Sequence, residues 1–366
     1  MDFSEWESER AEEPEYWNPE PLQLYTPFDL TDADVLFPHV NPAPVDEALT
    51  EAIRERIDDL MPSKEEKDGL ASFIRGVTTT VEDAMRKNET MDGIGIEEIR
   101  AVGSHRKGTI LAGHGVGDVV VVFSEWPTFA AVEKLASRIE EALKGDEPDQ
   151  DVVVFSRDGS RFTLACEDLQ IVVYSCCLAN KMRTNDDDEE GGSENQIASE
   201  DVDLGLAAIR HVRWMDENVT DMDVKLLARL LKDIRLRVPQ LSIITSWQCE
   251  VLAHHLIYAH PRAPLPIGDA FRRFFSIMAA GFFLPDSTGI ADPCELDMIR
   301  IQDVLTPQQQ EEITATCGAL LRLLAMGGHR EILGHVPDFK CDFSAPLEYR
   351  GIQMVPTVRR LHVATS

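Results

Sequence analysis

A glycine-rich stretch that leads directly into an apolar strand, residues 102–123, narrows the possible folds of this chain more than any other segment. It reads VGSHRKGTILAGHGVGDVVVVF. The last six residues, from Asp118, are apolar enough to form a strand that is buried on both faces. The glycines before them allow positive φ angles and a close approach of the backbone to a ligand. The stretch therefore predicts turns that lead into the central strand of a buried sheet.

Polar side chains in the same stretch suit the binding of a phosphate group. Gly103 begins the first turn, Ser104 and Thr109 offer hydroxyls, and Lys107 offers an ammonium group. Backbone amides and such side chains together form anion-binding loops in many proteins. The pattern also fits an ordinary strand with a flexible lead-in, and taken alone it leaves both interpretations open.

The motif GSHRKGT, followed nine residues after its threonine by DVVVVF, resembles the signature of template-free nucleotidyltransferases. That superfamily includes oligoadenylate synthetases, poly(A) polymerases and tRNA CCA-adding enzymes. The chain is more similar still to the DZF family (domain associated with zinc fingers), through the segments AAIRHVRW, VKLLARLLKDIR, GFFLPDSTGIADPCE and GGHREILG. The resemblance runs over about residues 27–356. It implies an α+β fold, in which a nucleotidyltransferase-like mixed β-sheet with helices is followed by an α-helical domain.

Hydrophobic periodicity predicts the elements of such a fold within the 366 residues. Helices are predicted at 46–61 and 63–87, the second with a capping box from Ser63 and Glu66. Strands and one amphipathic helix follow, with the helices on one side of a small mixed sheet, and the chain is helical from about residue 199. The predicted organisation is a disordered acidic tail at 1–26, a nucleotidyltransferase-like domain at 27–183, an acidic loop at 184–198, an α-helical domain at 199–356 and a C-terminal tail at 357–366.

The formal net charge of −30 is concentrated in two segments. Residues 1–66 hold 19 acidic and 4 basic residues, and residues 186–203 hold 9 acidic and no basic ones. Together they supply 24 of the 30 negative charges, so the rest of the chain, at −6, can still carry a local basic surface for a nucleic acid. The predicted RNA-contacting residues are Arg210, Arg213, Arg229 and Arg235, with Lys232 and Arg237 beside them.

The seven cysteines show no paired C-x-x-C spacing. They predict reduced thiols in a nuclear or cytosolic protein, and no zinc site. The N-terminus is acidic, and no run of 18 apolar residues occurs, so we expect a protein that neither is secreted nor contacts a membrane.

Catalysis in the superfamily requires two metal ions that are held by carboxylates on one face of the central sheet. Two of these carboxylates stand at alternate positions at the start of the central strand, and a third comes from the neighbouring strand. Here Asp118 is present, but Val116 stands two residues before it, and Val172 occupies the third position. The resemblance thus implies an inactive protein with no catalytic or metal-binding residues. An active enzyme that recruits Glu167 or Asp168 is the alternative.

The resemblance also suggests nucleotide contacts in the helical half. Lys232, in RLLKDIR, is similar in position to a triphosphate-contacting lysine of oligoadenylate synthetases, and Trp247, in SWQCEVL, corresponds to a pair that flanks the nucleotide there. The simpler interpretations are that Lys232 is exposed on a helix surface, that Trp247 lies in the core and that Asp118 caps a turn. The predicted nucleotide site comprises Gly103, Ser104, Lys107, Thr109, Asp118, Lys232 and Trp247. No cofactor is required, and ATP or another nucleotide would bind without turnover.

DZF domains pair through their helical halves, so the resemblance implies a heterodimer with a larger DZF-domain protein that carries double-stranded-RNA-binding domains. The phenylalanine-rich segment AFRRFFSIMAAGFFLP fits either a buried helix or part of such an interface. Double-stranded RNA, with DNA as a second candidate, would be bound mainly through the partner. We expect a nuclear location, with passage into the cytoplasm left open, and roles in transcription regulation and RNA processing.

Overall fold

A computed structural model of the chain describes residues 26–27, 29, 45–144, 153–157, 160–178, 195–261, 263–295 and 298–355. The predicted N-terminal tail except Thr26, residues 184–194 of the acidic loop and the predicted C-terminal tail lie outside these residues. Within the described ranges, none of the helices is long and apolar enough to cross a membrane.

The first half of the chain forms a sheet with helices around it, and the second half is mainly helical. The helices are α1 (Glu47–Leu60), α2 (Lys64–Arg86), α3 (Gly103–Lys107), α4 (Phe129–Lys144), α5 (Ser199–Asn218), α6 (Met222–Arg237), α7 (Ser246–Tyr258), α8 (Ile267–Ala279), α9 (Pro307–Ala325) and α10 (His329–Ile332). The strands are β1 (Ile96–Val102), β2 (Val116–Phe123), β3 (Val153–Arg157), β4 (Arg161–Cys166), β5 (Leu169–Cys177), β6 (Leu347–Tyr349) and β7 (Ile352–Met354).

The central sheet has five strands in the order β1-β2-β5-β4-β3. Strand β2 runs parallel to β5, and the other neighbouring pairs are antiparallel, so the sheet is mixed, as predicted. Strand β2 lies inside the sheet between β1 and β5, whereas β5 is the middle strand. Residues 119–123 of β2 are buried, which fits their unbroken apolar sequence.

Local sequence signals explain how the leading elements begin and end. Helix α2 starts with the predicted capping box: the Ser63 side chain accepts from the Glu66 backbone N–H, and the Glu66 side chain accepts from that of Ser63. After β1 the chain turns at Gly103, where φ is +70°, and forms the short helix α3 in place of the predicted basic loop. Gly108, at φ +71°, ends α3 in the left-handed conformation.

The packing of the helices differs from the prediction in two ways. Helix α1, assigned to the first domain, packs with Leu49 and Ile53 in the core of the helical half. Helix α5, assigned to the helical domain, packs on the sheet through Val202. Helix α2 covers one face of the sheet and α5 covers the other, whereas helices were expected on one side only. Apolar stripes identify a helix but not the surface that it buries.

Candidate functional site

The predicted site residues meet where α3 and the start of β2 face helices α6 and α7. Helix α3 carries Ser104 and Lys107, α6 carries Lys232, and α7 carries Glu250. A Cβ atom at position 103 would lie 1.9 Å from Asp118 Oδ2, so glycine is what allows the Asp118 carboxylate to pack against the turn.

Glu250 is the centre of a buried network of charges, with none of its side chain exposed. Its carboxylate forms an ion pair with the Lys107 ammonium group, and its Oε1 lies 2.7 Å from Lys232 Nζ. Oε1 also accepts a hydrogen bond from the Thr109 hydroxyl. Lys232 Nζ donates further to Ser104 Oγ at 2.9 Å and to Thr109 Oγ1 at 2.8 Å. The network therefore joins the glycine-rich turn of the first half to the helices of the second half.

Burial and neighbouring charges set the protonation of this network. Burial raises the pKa of Asp118 to about 6, although Lys107 and Lys232 oppose the shift. Burial also lowers the pKa of Lys232, which Glu250 counteracts. For Glu250, burial acts to raise the pKa, but the attraction of Lys232 and Lys107 outweighs it and the pKa is lowered. Glu250 is therefore an anion that holds two buried ammonium groups.

The sheet face around Asp118 has the neutral side chains that the sequence predicted. In the parallel pair of β2 and β5, Asp118 lies directly beside Val172, and Val116 lies beside Gln170. These four positions share one face because successive residues of a strand alternate between faces. Since a two-metal site needs several carboxylates directed at one point, this set of residues does not fit a pair of catalytic metal ions.

The alternative carboxylates stand elsewhere. Glu167 and Asp168 form the turn between β4 and β5, where Glu167 has a φ of +52°. Asp168 lines a cavity of about 440 Å³ together with His105 and Glu66. Asp118 lies beside Val172, which is four residues after Asp168 and so about 13 Å from it along an extended strand. The structure therefore does not bring Asp168 together with Asp118.

The cavity beside Asp118 has a volume of about 160 Å³. Ser104, Thr109, Asp118 and Lys232 line it, which brings four of the predicted nucleotide-binding residues together. Its lining also includes residues that were not predicted for a nucleotide site, among them His114, Arg235 and Ser246. A volume below the roughly 300 Å³ of typical small-molecule pockets suits a phosphate-sized group better than a whole nucleotide.

Two predicted residues lie just outside that cavity. Lys107 is only 6% exposed, and its Nζ lies over the Trp247 ring, 5.4 Å from the ring centroid. The Trp247 ring stacks on His211 at a centroid distance of 3.8 Å, and its Nε1 donates to Asp292 Oδ2 at 2.8 Å. In this conformation the indole is therefore part of the packing between α5 and α7.

The predicted basic patch does not form a continuous free surface. Arg229 is 4% exposed, and its guanidinium donates to the backbone carbonyls of Gly108 and Ile110, so its assignment as an RNA contact is wrong. Arg235 donates to the Ile244 carbonyl. Arg210 pairs with Glu295 at 2.6 Å, and Arg213 pairs with Glu217 at 2.8 Å. Arg237 pairs with Asp233 at 2.6 Å.

Glu250 is the functional residue that the sequence analysis missed. It is an acid inside an otherwise apolar part of α7, between Cys249 and Val251, and a carboxylate at such a position requires a buried cation. That signal was visible in the sequence. The identity of the cations was not, since Lys107 is 143 residues away along the chain.

The raised pKa of Asp118 predicts a dependence of stability on pH. A carboxyl whose pKa rises from 3.8 in the unfolded chain to about 6 in the folded one binds more protons when folded, so stability falls as pH rises between these values. The shift corresponds to up to about 3 kcal/mol. We expect Asp118→Asn to be more stable than the wild type at pH 7 and to lose that advantage below about pH 4. Urea unfolding of both proteins from pH 4 to 7 measures this, and parallel stability curves would contradict it.

Two family models match this chain over consecutive ranges. A family model described as the DZF N-terminal domain matches residues 14–220, and one described as the DZF C-terminal domain matches residues 223–346. Among solved structures, the chain is similar to CdnC of E. coli MS115-1 in its complex with HORMA-deltaN, with a TM-score of 0.56 and 16% identity over 80% of this chain and 95% of that chain.

It is also similar to Cid1, in a structure that concerns RNA terminal uridylyl transferase activity, with a TM-score of 0.51 and 13% identity over 76% of this chain and 94% of that one. At such identities the likeness concerns the fold. It confirms the predicted α+β, nucleotidyltransferase-like architecture.

Proposed function

The chain belongs to the DZF family, and we propose that it serves as a catalytically inactive nucleotidyltransferase-fold subunit. In this proposal it pairs with a larger DZF protein that carries double-stranded-RNA-binding domains. Its sequence resembles that of interleukin enhancer-binding factor 2, the smaller subunit of such a pair. Roles in transcription regulation and RNA processing, and a nuclear location, follow from that assignment.

The observation that carries the proposal is that apolar side chains, and not carboxylates, stand beside Asp118 in the sheet. Valine stands beside it on β5 and two residues before it on β2. An apolar side chain supplies no oxygen ligand, and one carboxylate cannot hold two divalent ions against their mutual repulsion. Without those ions nothing neutralises the charge that develops on a transferred phosphoryl group. Loss of catalysis is the expected consequence.

The cavity beside Asp118 supports retention of an anionic ligand without turnover. Arg235 gives it positive charge, and Ser104 and Ser246 give it hydroxyls. Such groups bind phosphate oxygens without any need for metal ions. A phosphate of ATP or of another nucleotide would therefore act as a structural ligand, and the subunit needs no cofactor for pairing.

Two features of the helical half support binding to RNA through a partner. Arg210, Arg213 and Arg229 already pair with acids or backbone carbonyls, so these arginines are not free cations for a nucleic acid. Several large apolar side chains are exposed there, including Leu236, Met298, Val304 and Ile352. Burial of such side chains is what a stable protein interface provides.

One experiment with two readouts tests this function. The chain is expressed alone and together with a larger DZF protein, and both preparations are incubated with labelled ATP, magnesium or manganese, and double-stranded RNA. We expect a stable complex with a higher unfolding temperature than the chain alone, because binding of the folded state stabilises it. We expect no incorporation of label into RNA by either preparation.

The control is Asp118→Ala, assayed in the same way. Incorporation that this substitution abolishes would establish the alternative, an active template-free nucleotidyltransferase with a non-standard second carboxylate. A chain that remains a stable monomer in the presence of the larger DZF protein would remove the subunit assignment.

A further inference from the structure

Three side chains of the types that ligate metal ions, from two distant parts of the sequence, meet beside Trp247. His211 comes from α5, and Asp292 and Cys294 come from the segment between α8 and α9. One ligand atom of each lies within 4.8 Å of the others, and all three side chains are half-buried. Since zinc–ligand distances are about 2.0–2.3 Å, the three ligand atoms need to move only a little closer together to contact one ion.

The neighbouring residues hold these side chains in place. Trp247 stacks on the His211 ring with an interplanar angle of 11°, and its Nε1 donates to Asp292 Oδ2. The other carboxylate oxygen, Asp292 Oδ1, accepts from the backbone N–H of Cys294 at 2.9 Å. The backbone N–H of Asp292 itself donates to the Ile299 carbonyl at 2.7 Å. Contacts of this kind orient the ligands of known metal sites and contribute to the affinity of those sites for the metal.

We propose that His211, Asp292 and Cys294 form a zinc(II) site with three protein ligands. An imidazole nitrogen, a thiolate sulfur and a carboxylate oxygen are the three side-chain ligand types of zinc, and three of them leave a fourth position for water. On binding, the Cys294 thiol releases its proton to solvent as the zinc–sulfur bond forms, with no change in oxidation state.

The charges around the site are compatible with a cation. Two cations lie near the site. Arg210 of α5 is paired with Glu295 at 2.6 Å, and Lys107 of α3, whose Nζ lies 5.4 Å from the Trp247 ring centroid, is paired with Glu250.

The site would join the two halves of the protein. Helix α5 packs on the sheet. The segment with Asp292 and Cys294 leads instead to Ile301 and Leu305, which are buried in the core of the helical half. A bound ion adds its binding free energy to this contact and so raises the stability of the folded chain. The absence of C-x-x-C spacing led the sequence analysis to expect no zinc site. Ligands at positions 211, 292 and 294 have no spacing that could have indicated one.

The test uses the full chain, treated with a chelator and a phosphine reductant and then transferred to chelator-free buffer. Zinc is titrated against a chromophoric chelator, and cobalt(II) is titrated separately, because a cobalt–thiolate bond gives a charge-transfer absorption. Cys294→Ser removes the proposed sulfur ligand. Cys166→Ser, at another partly buried cysteine, is the matched control.

We expect the wild type and Cys166→Ser to bind one equivalent of zinc, to show the thiolate band with cobalt and to unfold at a higher temperature with zinc present. Cys294→Ser should bind zinc more than about tenfold more weakly and should lack the band. Asp292→Asn is a second variant, with the same expected loss of affinity, in case Cys294→Ser does not fold. Equal zinc affinity in all four proteins, or no stoichiometric binding by the wild type, would overturn the proposal.

Discussion

Replacement of Glu250 by glutamine is expected to lower the free energy of unfolding by about 3–5 kcal/mol at neutral pH. The carboxylate is fully buried and is the shared counter-ion of Lys107 and Lys232. Glutamine keeps most of the shape but leaves two ammonium groups in a low-dielectric site without compensating charge. Since small domains have a total stability of about 5–15 kcal/mol, urea unfolding monitored by circular dichroism resolves the loss easily.

The matched control is Glu217→Gln, which breaks the exposed ion pair with Arg213 at 2.8 Å. Exposed ion pairs contribute at most about 1 kcal/mol, so the free energy of unfolding of this variant should be close to that of the wild type. The difference between Glu250→Gln and the wild type should also narrow as pH approaches about 10.4, where lysines of the unfolded chain lose their protons. Equal stability of the two glutamine variants at pH 7 would show that the buried network contributes little.

Alanine at position 103 is expected to destabilise the fold by about 2–4 kcal/mol. Two effects add. The backbone at Gly103 has a φ of +70°, which residues with a Cβ adopt at a cost of about 1–2 kcal/mol. The new Cβ would also lie 1.9 Å from Asp118 Oδ2, so the carboxylate or the turn must move. Urea unfolding measures the sum of both effects.

Gly113→Ala separates the two effects. Gly113 has a similar φ of +74°, but no heavy atom lies within 4 Å of the position that its Cβ would take. We expect the free energy of unfolding of this variant to be about 1–2 kcal/mol lower than that of the wild type, which is the cost of the backbone conformation alone. Adding Asp118→Ala to Gly103→Ala should recover part of the additional loss of stability, because it removes the carboxylate. The recovery is partial, since the Cβ of residue 118 remains 2.8 Å from the new Cβ at position 103. Equal losses in the two glycine variants would mean that Asp118 moves aside freely.

Much of the sheet half could be predicted because its signals are local. The apolar run after Asp118 could only be a buried strand, and the turn and capping signals around it placed β1, α2 and β2. Even the neighbour of Asp118 was predicted correctly, since Val172 lies directly beside it in the parallel pair. Alternation along a strand and pairing between strands are regular enough to be read from the position of one aspartate.

The charges of the site could not be predicted in the same way. The sequence predicts that Lys107, Lys232 and Arg229 are cations available to a ligand, whereas in the structure all three are buried and bonded within the protein. The same pattern of basic residues is compatible with an exposed patch or with a buried network. The choice depends on which distant acid or carbonyl the fold brings near, and only the packing of α6 and α7 against α3 supplies Glu250.

The sequence was sufficient to identify the strand that carries Asp118, the valines beside it and the helical character of the second half, because these follow from side-chain alternation and helical periodicity over a few residues. Only the tertiary structure determines which core each helix packs on and which lysines pair with Glu250. It also determines that His211 lies close to Asp292 and Cys294. The physical reason is that ion pairing and metal coordination act over a few ångströms in space, between residues whose separation along the chain carries no signal.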